Sequence, residues 1–314
     1  MTQRFVVLSD THFIEPRQAA EGKTWWNRLL ETRCAGIGAA LVRTINRLQP
    51  DFVIHCGDFT GHGDLASYEL GVDIMNRLDS PWFVVPGNHD SWIPGVRAAM
   101  AARCQQPGDD CYFARDLGGL RFIFLDVVYW ASADGNTTPY LDRELYDRGQ
   151  VLGMGPSPQE LAWLEQELAA ADRPVVFVSH APLGYKPAYP IPTLPRGEPA
   201  RQPLTSVADL MGDVLQRQAM RDLIRRCPLV KAAFAGHWHL CDTISEDGVT
   251  FCQTAALREY PFEFRLVSVD GGRLSVSTHG LDDDSFARES YVEEWGNRWV
   301  AGTEADRAFE VALE

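Results

Sequence analysis

Five short apolar runs constrain this chain most, because each leads directly into residues that bind metals or move protons. In chain order, the five segments read VLSDTH, IHCGDFTGHG, VVPGNHD, VFVSHAP and AFAGHWH. Continuous apolar runs of this kind predict strands that are covered on both faces. The polar residues then follow the strand ends, at the edge of an α/β sheet where ligands bind.

Helical periodicity alternates with the first of these strands. Residues 5–8, 52–55 and 82–85 are apolar runs, whereas residues 27–48 and 65–78 repeat apolar positions with helical spacing. This βαβα rhythm predicts a layered α/β fold.

The second half of the chain predicts more strands and turns, and we expect it to be largely antiparallel. A capping box formed by Ser157 and Glu160, with Pro158 between them, predicts a helix start. The other expected elements are a hairpin over 111–126 turning at Gly118-Gly119, strands at 175–178 and 232–235, a helix over 207–226, and hairpins around 246–248 and 270–272.

Two longer segments have no clear periodicity. Residues 128–156 are rich in aromatic residues and glycine, and residues 182–203 hold seven prolines with several aromatic and basic residues. Long irregular segments inside a domain are usually functional. We expect both to line the rim of a substrate site.

Composition excludes several classes of protein. With 314 residues and 45% hydrophobic content, the chain can bury a large core.

The start MTQRFVVLSD lacks the features of a signal peptide, and no apolar run approaches the ~18 residues of a membrane span. We therefore expect a cytoplasmic protein without membrane contact. The seven cysteines contain no CxxC pair, which favours reduced thiols, although a bridge between Cys241 and Cys252 stays open.

The net charge of −14 argues against binding to duplex nucleic acid, whose phosphates an acidic surface repels. Residues 282–314 carry ten acids against three arginines, half of this charge. We therefore expect a catalytic domain over 1–281 and an acidic C-terminal tail over 282–314. Tyr291, Trp295 and Trp299 share one face if the tail is helical, which leaves two alternatives: packing on its own domain, or a cap or contact in a homo-oligomer.

Turn chemistry explains one strand that ends in Asp or His, but not five strands whose candidate site residues include five of the eight histidines. Imidazole and carboxylate together suit Zn, Fe, Mn or Co, whereas Mg and Ca prefer oxygen ligands. The candidate ligands are too many for one tetrahedral ion and fit two ions that share a carboxylate. These ligands are Asp10, His12, Asp58, Asn88, His180, His237 and His239.

The ordered segments DTH, GDFTGHG, GNHD, SHAP and GHWH resemble the five signature blocks of the calcineurin-like metallophosphoesterases. The resemblance covers residues 10–239. It implies a four-layer αββα sandwich with mixed sheets and a two-metal site at the carboxyl edge of the strands.

Carried over by position, the resemblance assigns Asp10, His12 and His239 to one metal and Asn88, His180 and His237 to the other. Asp58 would bridge the two ions. His89 would lie outside the metal ligands as the catalytic residue, which stabilises the phosphoryl oxygens or protonates the leaving alkoxide. Hydroxide held between the ions would attack the phosphorus.

The departures from the family pattern narrow the expected activity. Protein phosphatases of the family carry an Arg in the second block and a Glu in the third, and this chain lacks both. The pattern of its blocks is similar to that of bacterial class III cyclic-nucleotide and glycerophosphodiester phosphodiesterases. We therefore predict a hydrolase of small phosphodiesters, with a phosphomonoesterase or nuclease as the alternative and a non-catalytic scaffold as the remote one. His62 has no assigned role and is expected at the surface, with a substrate contact as the alternative, and Asp90 is expected to cap a helix.

Overall fold

A computed structural model of the protein describes residues 2–17, 31–183, 217–291 and 297–314. Within these ranges, two six-stranded sheets pack face to face with helices on their outer sides, and a small third sheet lies beside them. The strands are β1 (Gln3–Leu8), β2 (Phe52–His55), β3 (Trp82–Val84), β4 (Phe113–Leu117), β5 (Leu120–Phe124), β6 (Tyr129–Ser132), β7 (Thr137–Thr138), β8 (Val151–Gly155), β9 (Val175–Val178), β10 (Val230–Ala235), β11 (Asp242–Glu246), β12 (Val249–Gln253), β13 (Glu263–Asp270), β14 (Arg273–Gly280) and β15 (Ala308–Ala312). The helices are α1 (Cys34–Leu48), α2 (Leu65–Met75), α3 (Val96–Arg103), α4 (Arg143–Asp147), α5 (Pro158–Ala169), α6 (Arg217–Arg226), α7 (Ser285–Ser290) and α8 (Glu304–Arg307), with 3₁₀ turns at Glu31–Arg33, His89–Ser91 and Asn297–Ala301.

Both large sheets are mixed, which confirms the predicted αββα class. The first has the order β15-β14-β13-β1-β2-β3, with β1, β2 and β3 parallel and the other pairs antiparallel. The second has the order β11-β12-β10-β9-β5-β4, with its four central strands parallel. The expected antiparallel pairing is found in the hairpins β11-β12 and β13-β14. It is wrong for β5, β9 and β10, because α5 and α6 return the chain to the same end of the sheet.

Alternation of side chains along β1 explains the layers. Phe5 and Val7 join the core between the two sheets, whereas Val6 and Leu8 join the core under α1 and α2. The Phe5 ring lies 5.3 Å from that of Phe122 in the second sheet. Full burial of one such side chain stabilises the fold by about 1.5–3 kcal/mol, so both faces of the strand contribute.

Most predicted elements are found near their expected bounds, and α5 begins as its cap predicts. The Ser157 side chain accepts the Glu160 N–H at 3.1 Å. The capping box is not completed, however, because the Glu160 carboxylate accepts the Asp126 N–H at 2.8 Å instead. The predicted helices at 27–48 and 207–226 are described from residue 31 and residue 217 onward.

The expectation of an irregular segment over 128–156 is wrong. Residues of this segment form the third sheet, in the order β7-β6-β8, together with the short helix α4. This insert contacts the GNHD segment, since the Leu141 N–H donates to the Ser91 carbonyl at 2.9 Å. In the second segment, residues 184–203 lie outside the described residues, and its place at a substrate rim stays a prediction.

The end of the chain joins the first sheet, where β15 pairs with β14. The boundary near residue 281 stays a prediction, and residues 292–296 of the expected aromatic helix lie outside the described residues. All seven cysteines are buried, and Cys241 and Cys252 form no disulfide bridge with each other. Among the described residues, no helix is long and apolar enough to cross a membrane.

Candidate metal centre

The predicted ligands meet where five strand ends converge from both large sheets. The loops after β1, β2 and β3 come from the first sheet, and the loops after β9 and β10 come from the second. They bring together Asp10, His12, Asp58, Asn88, His180, His237 and His239. Five of these side chains are buried, and His237 and His239 are half-buried.

Asp10, His12, Asp58 and His239 form one group whose ligand atoms lie within 4.8 Å of one another. The His239 Nε2 lies 3.2 Å from the His12 Nε2 and 3.2 Å from the Asp10 Oδ1. The His12 Nε2 lies 3.6 Å from the Asp58 Oδ2. Three imidazole and carboxylate groups thus surround one point beside Asp58.

A second group shares Asp58 and adds His180 and His237. The His180 Nε2 lies 3.4 Å from the Asp58 Oδ1 and 3.1 Å from the His237 Nδ1. The Asn88 side chain lies beside this second group, since its Oδ1 is 3.0 Å from the His180 Nε2. The two groups therefore use different oxygens of the one Asp58 carboxylate.

The donor set fits two transition-metal ions. Metal–ligand bonds of about 2.0–2.2 Å place neighbouring ligand atoms roughly 3–3.5 Å apart, and each group contains pairs of atoms at this spacing. Nitrogen, carboxylate and amide donors without a thiolate suit Zn, Fe, Mn or Co. The predicted ligands can thus hold two ions, and the assignment of each residue to an ion stays a prediction.

Hydrogen bonds on the far side of two rings turn the correct nitrogen toward the site. The His180 Nδ1 lies 2.9 Å from the Cys56 carbonyl and donates to it, so Nε2 is the nitrogen that faces Asp58. The His239 Nδ1 lies 2.8 Å from the Glu259 Oε1. A carboxylate behind a histidine ligand fixes the ring and raises its basicity.

Burial and the neighbouring carboxylates set the protonation of the metal-free site. Burial disfavours charge on His239, but Asp10 and Glu259 outweigh it and raise the pKa of His239 to about 10. Burial and then His180 lower the pKa of His237 to about 3. For Asp58, burial is outweighed by His180 and His89, which hold its pKa well below the ordinary value. Asp58 is therefore the anionic centre of the site.

His89 lies next to Asp58 without belonging to either ligand group. Its Nδ1 is 2.7 Å from the Gly61 carbonyl, and its Nε2 is 3.9 Å from the Asp58 Oδ2. Its backbone N–H donates to the Asp58 Oδ1 at 2.9 Å. Burial lowers the pKa of this ring to about 4, so the imidazole is neutral with Nε2 directed toward the centre.

Five of the ligand-type residues have a left-handed backbone. The φ angles of Asp10, His12, Asp58, His237 and His239 lie between 43° and 73°. Among the described residues, these are five of nine non-glycine positions with positive φ. Such conformations are rare and cost about 1–3 kcal/mol each, and they cluster at functional sites.

Buried polar contacts hold the ligand loops in place. Asp90 is not a helix cap: its carboxylate accepts the N–H groups of Phe59, Thr60 and Gly87. Gly87 has no room for a side chain, since a Cβ there would overlap the backbone and carboxylate of Asp58. These contacts join the loop after β2 to the loop after β3.

Other residues near the site differ from expectation or were not foreseen. His62 is half-buried rather than exposed, and its ring stacks on that of Trp92. The Trp92 ring in turn lies 3.9 Å from that of His89. Glu259 and Trp92 follow no strand-end pattern in the sequence. Glu259 reaches the site because the segment before it pairs with the loop after β1, where the Leu257 N–H donates to the Ser9 carbonyl.

The family model described as calcineurin-like phosphoesterase matches residues 3–241. The chain belongs to this family. The recognised resemblance is thereby confirmed, and the chain is that of a phosphoesterase-family hydrolase.

Relatives agree with this assignment at modest identity. The chain is 26% identical over 239 residues to "Glycerophosphodiester phosphodiesterase GpdQ" of Enterobacter lignolyticus, over 74% of this chain and 69% of that protein. It is 26% identical over 183 residues to a Synechococcus protein named "Probable cyclic nucleotide phosphodiesterase", over 58% and 59%. Among solved structures, a dimetal phosphatase from Danio rerio has the same fold, with a TM-score of 0.63 at 17% identity over 88% of this chain and 96% of that one.

Proposed function

We propose that this protein hydrolyses small phosphodiesters with two bound transition-metal ions. The observation that carries the proposal is the pair of ligand groups that share the Asp58 carboxylate. The names of the relatives, which include glycerophosphodiester and cyclic-nucleotide phosphodiesterases, support a diester substrate.

Each residue has a role in the proposal. Asp10, His12 and His239 hold one ion, Asn88, His180 and His237 hold the other, and Asp58 holds both. When bound, two such ions offset the negative charge of phosphoryl oxygens and make a water nucleophilic near neutral pH. The ligand residues keep the ions at a fixed place, and the carbonyl and carboxylate behind His180 and His239 keep the imidazoles oriented.

His89 contributes from outside the ligand groups. Its Nδ1 is engaged by the Gly61 carbonyl, so Nε2 is the nitrogen directed toward the centre. Once the ring has taken up a second proton from solvent water, Nε2 donates a hydrogen bond to a phosphoryl oxygen or transfers this proton to the leaving alkoxide. General acid assistance of this kind typically accelerates a reaction about 10²–10⁴-fold.

The experiment compares bis-p-nitrophenyl phosphate with p-nitrophenyl phosphate, using protein stripped of metal and reloaded separately with Mn, Fe, Zn or Co. We expect metal-dependent hydrolysis with a higher kcat/KM for the diester, and loss of both metal and activity in Asp58→Ala. A higher kcat/KM for the monoester would contradict the diesterase proposal. Inactivity with every metal, together with no bound metal, would contradict the proposed enzyme altogether.

A further inference from the structure

The His89 imidazole is enclosed by three neighbours, two of which are rings. The His12 ring meets it edge to face at 4.6 Å, and the Trp92 ring lies at 3.9 Å with 33° between the planes. The third neighbour is the Gly61 carbonyl at Nδ1. The Gly61 contact holds one atom of the imidazole, and the flanking rings limit the tilt of its plane, so they help to set the direction of Nε2.

Trp92 has the support that such a flanking ring needs. Its side chain is half-buried and packs against the core cluster formed by the second sheet, α5 and α6. The residue before it is fixed to the insert, since the Ser91 carbonyl accepts the Leu141 N–H at 2.9 Å. Trp92 therefore links His89 to the second core cluster.

The contacts of the Trp92 indole are made by its ring and not by its N–H group. The buried Nε1 of Trp92 has no hydrogen-bond partner among the described residues. A buried tryptophan normally satisfies this N–H, so hydrogen bonding does not explain the residue at this place. Its ring contacts are with His89 and, at 6.5 Å and 22°, with His62 from the loop after β2.

We propose that Trp92 is a positioning residue, whose indole face keeps the His89 imidazole turned with Nε2 toward Asp58. The inference rests on the proposed function and adds a determinant of leaving-group protonation. A small displacement of a catalytic group can cost up to about 10²-fold in rate. We expect this loss of rate for substrates whose leaving group needs a proton.

The experiment uses metal-loaded Trp92→Leu and Trp92→Met, which keep apolar volume but remove the flat ring, and Trp92→Phe, which keeps one. Rates are measured on aryl phosphodiesters of increasing leaving-group pKa. In the Leu and Met variants we expect kcat to fall about 10- to 100-fold for the poorest leaving groups, with KM and metal content unchanged. Trp92→Phe should retain most of the rate.

Trp163→Leu is the matched control. Trp163 is also half-buried, packs on the same core cluster and contacts one ring, that of Tyr112 at 4.9 Å. We expect this variant to lose stability without any change in leaving-group dependence. If Trp92→Leu and Trp92→Met behave like Trp163→Leu, the positioning role is wrong.

Two further measurements separate this inference from the role of His89 itself. The double variant His89→Ala/Trp92→Leu should be no slower than His89→Ala, because the two residues act as one unit. In metal-free Trp92→Leu, nuclear magnetic resonance should show His89 as a mixture of tautomers rather than the Nδ1–H form alone. Additive losses, or an unchanged tautomer, would overturn the inference. An unimpaired His89→Ala would instead overturn the role of His89 in the proposed function.

Discussion

At the scale of single residues, His89 differs from its neighbours in that it faces Asp58 without joining a ligand group. His89→Ala should therefore keep both metals while kcat falls about 10²–10⁴-fold on alkyl diesters. The loss should be smaller on bis-p-nitrophenyl phosphate, whose leaving group needs no proton. The measurements are the metal content of the variant and its kcat on an alkyl diester and on bis-p-nitrophenyl phosphate. Wild-type rates on an alkyl diester would show that His89 has no catalytic role.

Glu259 acts on the site through the His239 imidazole, which it contacts at 2.8 Å. Glu259→Gln keeps an oxygen at this place but removes the charge, and Glu259→Ala removes both. Outer contacts of this type typically change metal affinity about 10- to 100-fold. We expect affinity to fall in the order wild type, Gln, Ala, measured by chelator competition on metal-free protein. Equal affinity in all three proteins would exclude a role for the carboxylate.

At the scale of elements, sequence predicts the strands well because a strand covered on both faces needs an uninterrupted apolar run. Residues 52–55 and 175–178 were bounded correctly for this reason. The insert was missed because β8 reads VLGMG and β7 has two exposed threonines, so neither shows apolar alternation. The ligands follow the strands they terminate, and Trp92 lies three residues after His89, where an aromatic residue carries no ligand signal. Glu259 is brought to the site by a contact between distant segments that no local pattern records.

The junction of β5 and α5 contains a buried acid. Glu160 is fully buried beside the Asp126–Arg97 ion pair, and its Oε2 has no partner among the described residues. Burial, and then the charge of Asp126, raise the pKa of Glu160 well above 4.5, the value assigned to an unperturbed glutamate. The folded state thus keeps a proton that the unfolded chain releases above that pH. Stability is lost as the pH rises through this window.

Glu160→Gln should remove this pH-dependent loss while its oxygen still accepts the Asp126 N–H. We expect its Tm to exceed that of the wild type at pH 8, and the difference to shrink toward pH 5. Each unit by which a pKa is raised corresponds to about 1.4 kcal/mol at high pH. The Tm of each protein is measured by thermal unfolding between pH 5 and pH 8. Glu165→Gln, on the exposed side of α5, is the control. A difference that does not vary with pH would contradict this account of Glu160.

At the scale of the whole molecule, the candidate centre joins the two large sheets. Asp10, Asp58 and Asn88 follow strands of the first sheet, and His180 and His237 follow strands of the second. The apolar runs predict that these strand ends meet, whereas the two facing sheets follow only from the family resemblance. Strand order depends on which helices and hairpins return the chain, and apolar runs alone do not encode it.

A centre that spans both sheets should couple metal binding to global stability. An ion that binds only the folded state at a hundredfold excess over its Kd adds about 2.7 kcal/mol. We expect metal to raise the Tm of the stripped protein and to raise that of Asp58→Asn much less. Asp58→Asn retains an acceptor for the His89 N–H but not the shared carboxylate. An equal gain in both proteins would mean that the stabilising ions bind elsewhere.

The left-handed backbone of the ligand residues has a consequence for how ions come and go. Asp90 ties two of the loops together, and the Cys56 carbonyl holds the His180 ring, through bonds that involve no metal. Asp10 and His12, which have unfavourable φ angles, also donate their backbone N–H groups to the carbonyls of Gly57 and Asp58 in the loop after β2. We therefore expect one bound metal to exchange for another without refolding of these loops. The metal recovered with the protein should then follow the metal supplied to it more than the history of its folding.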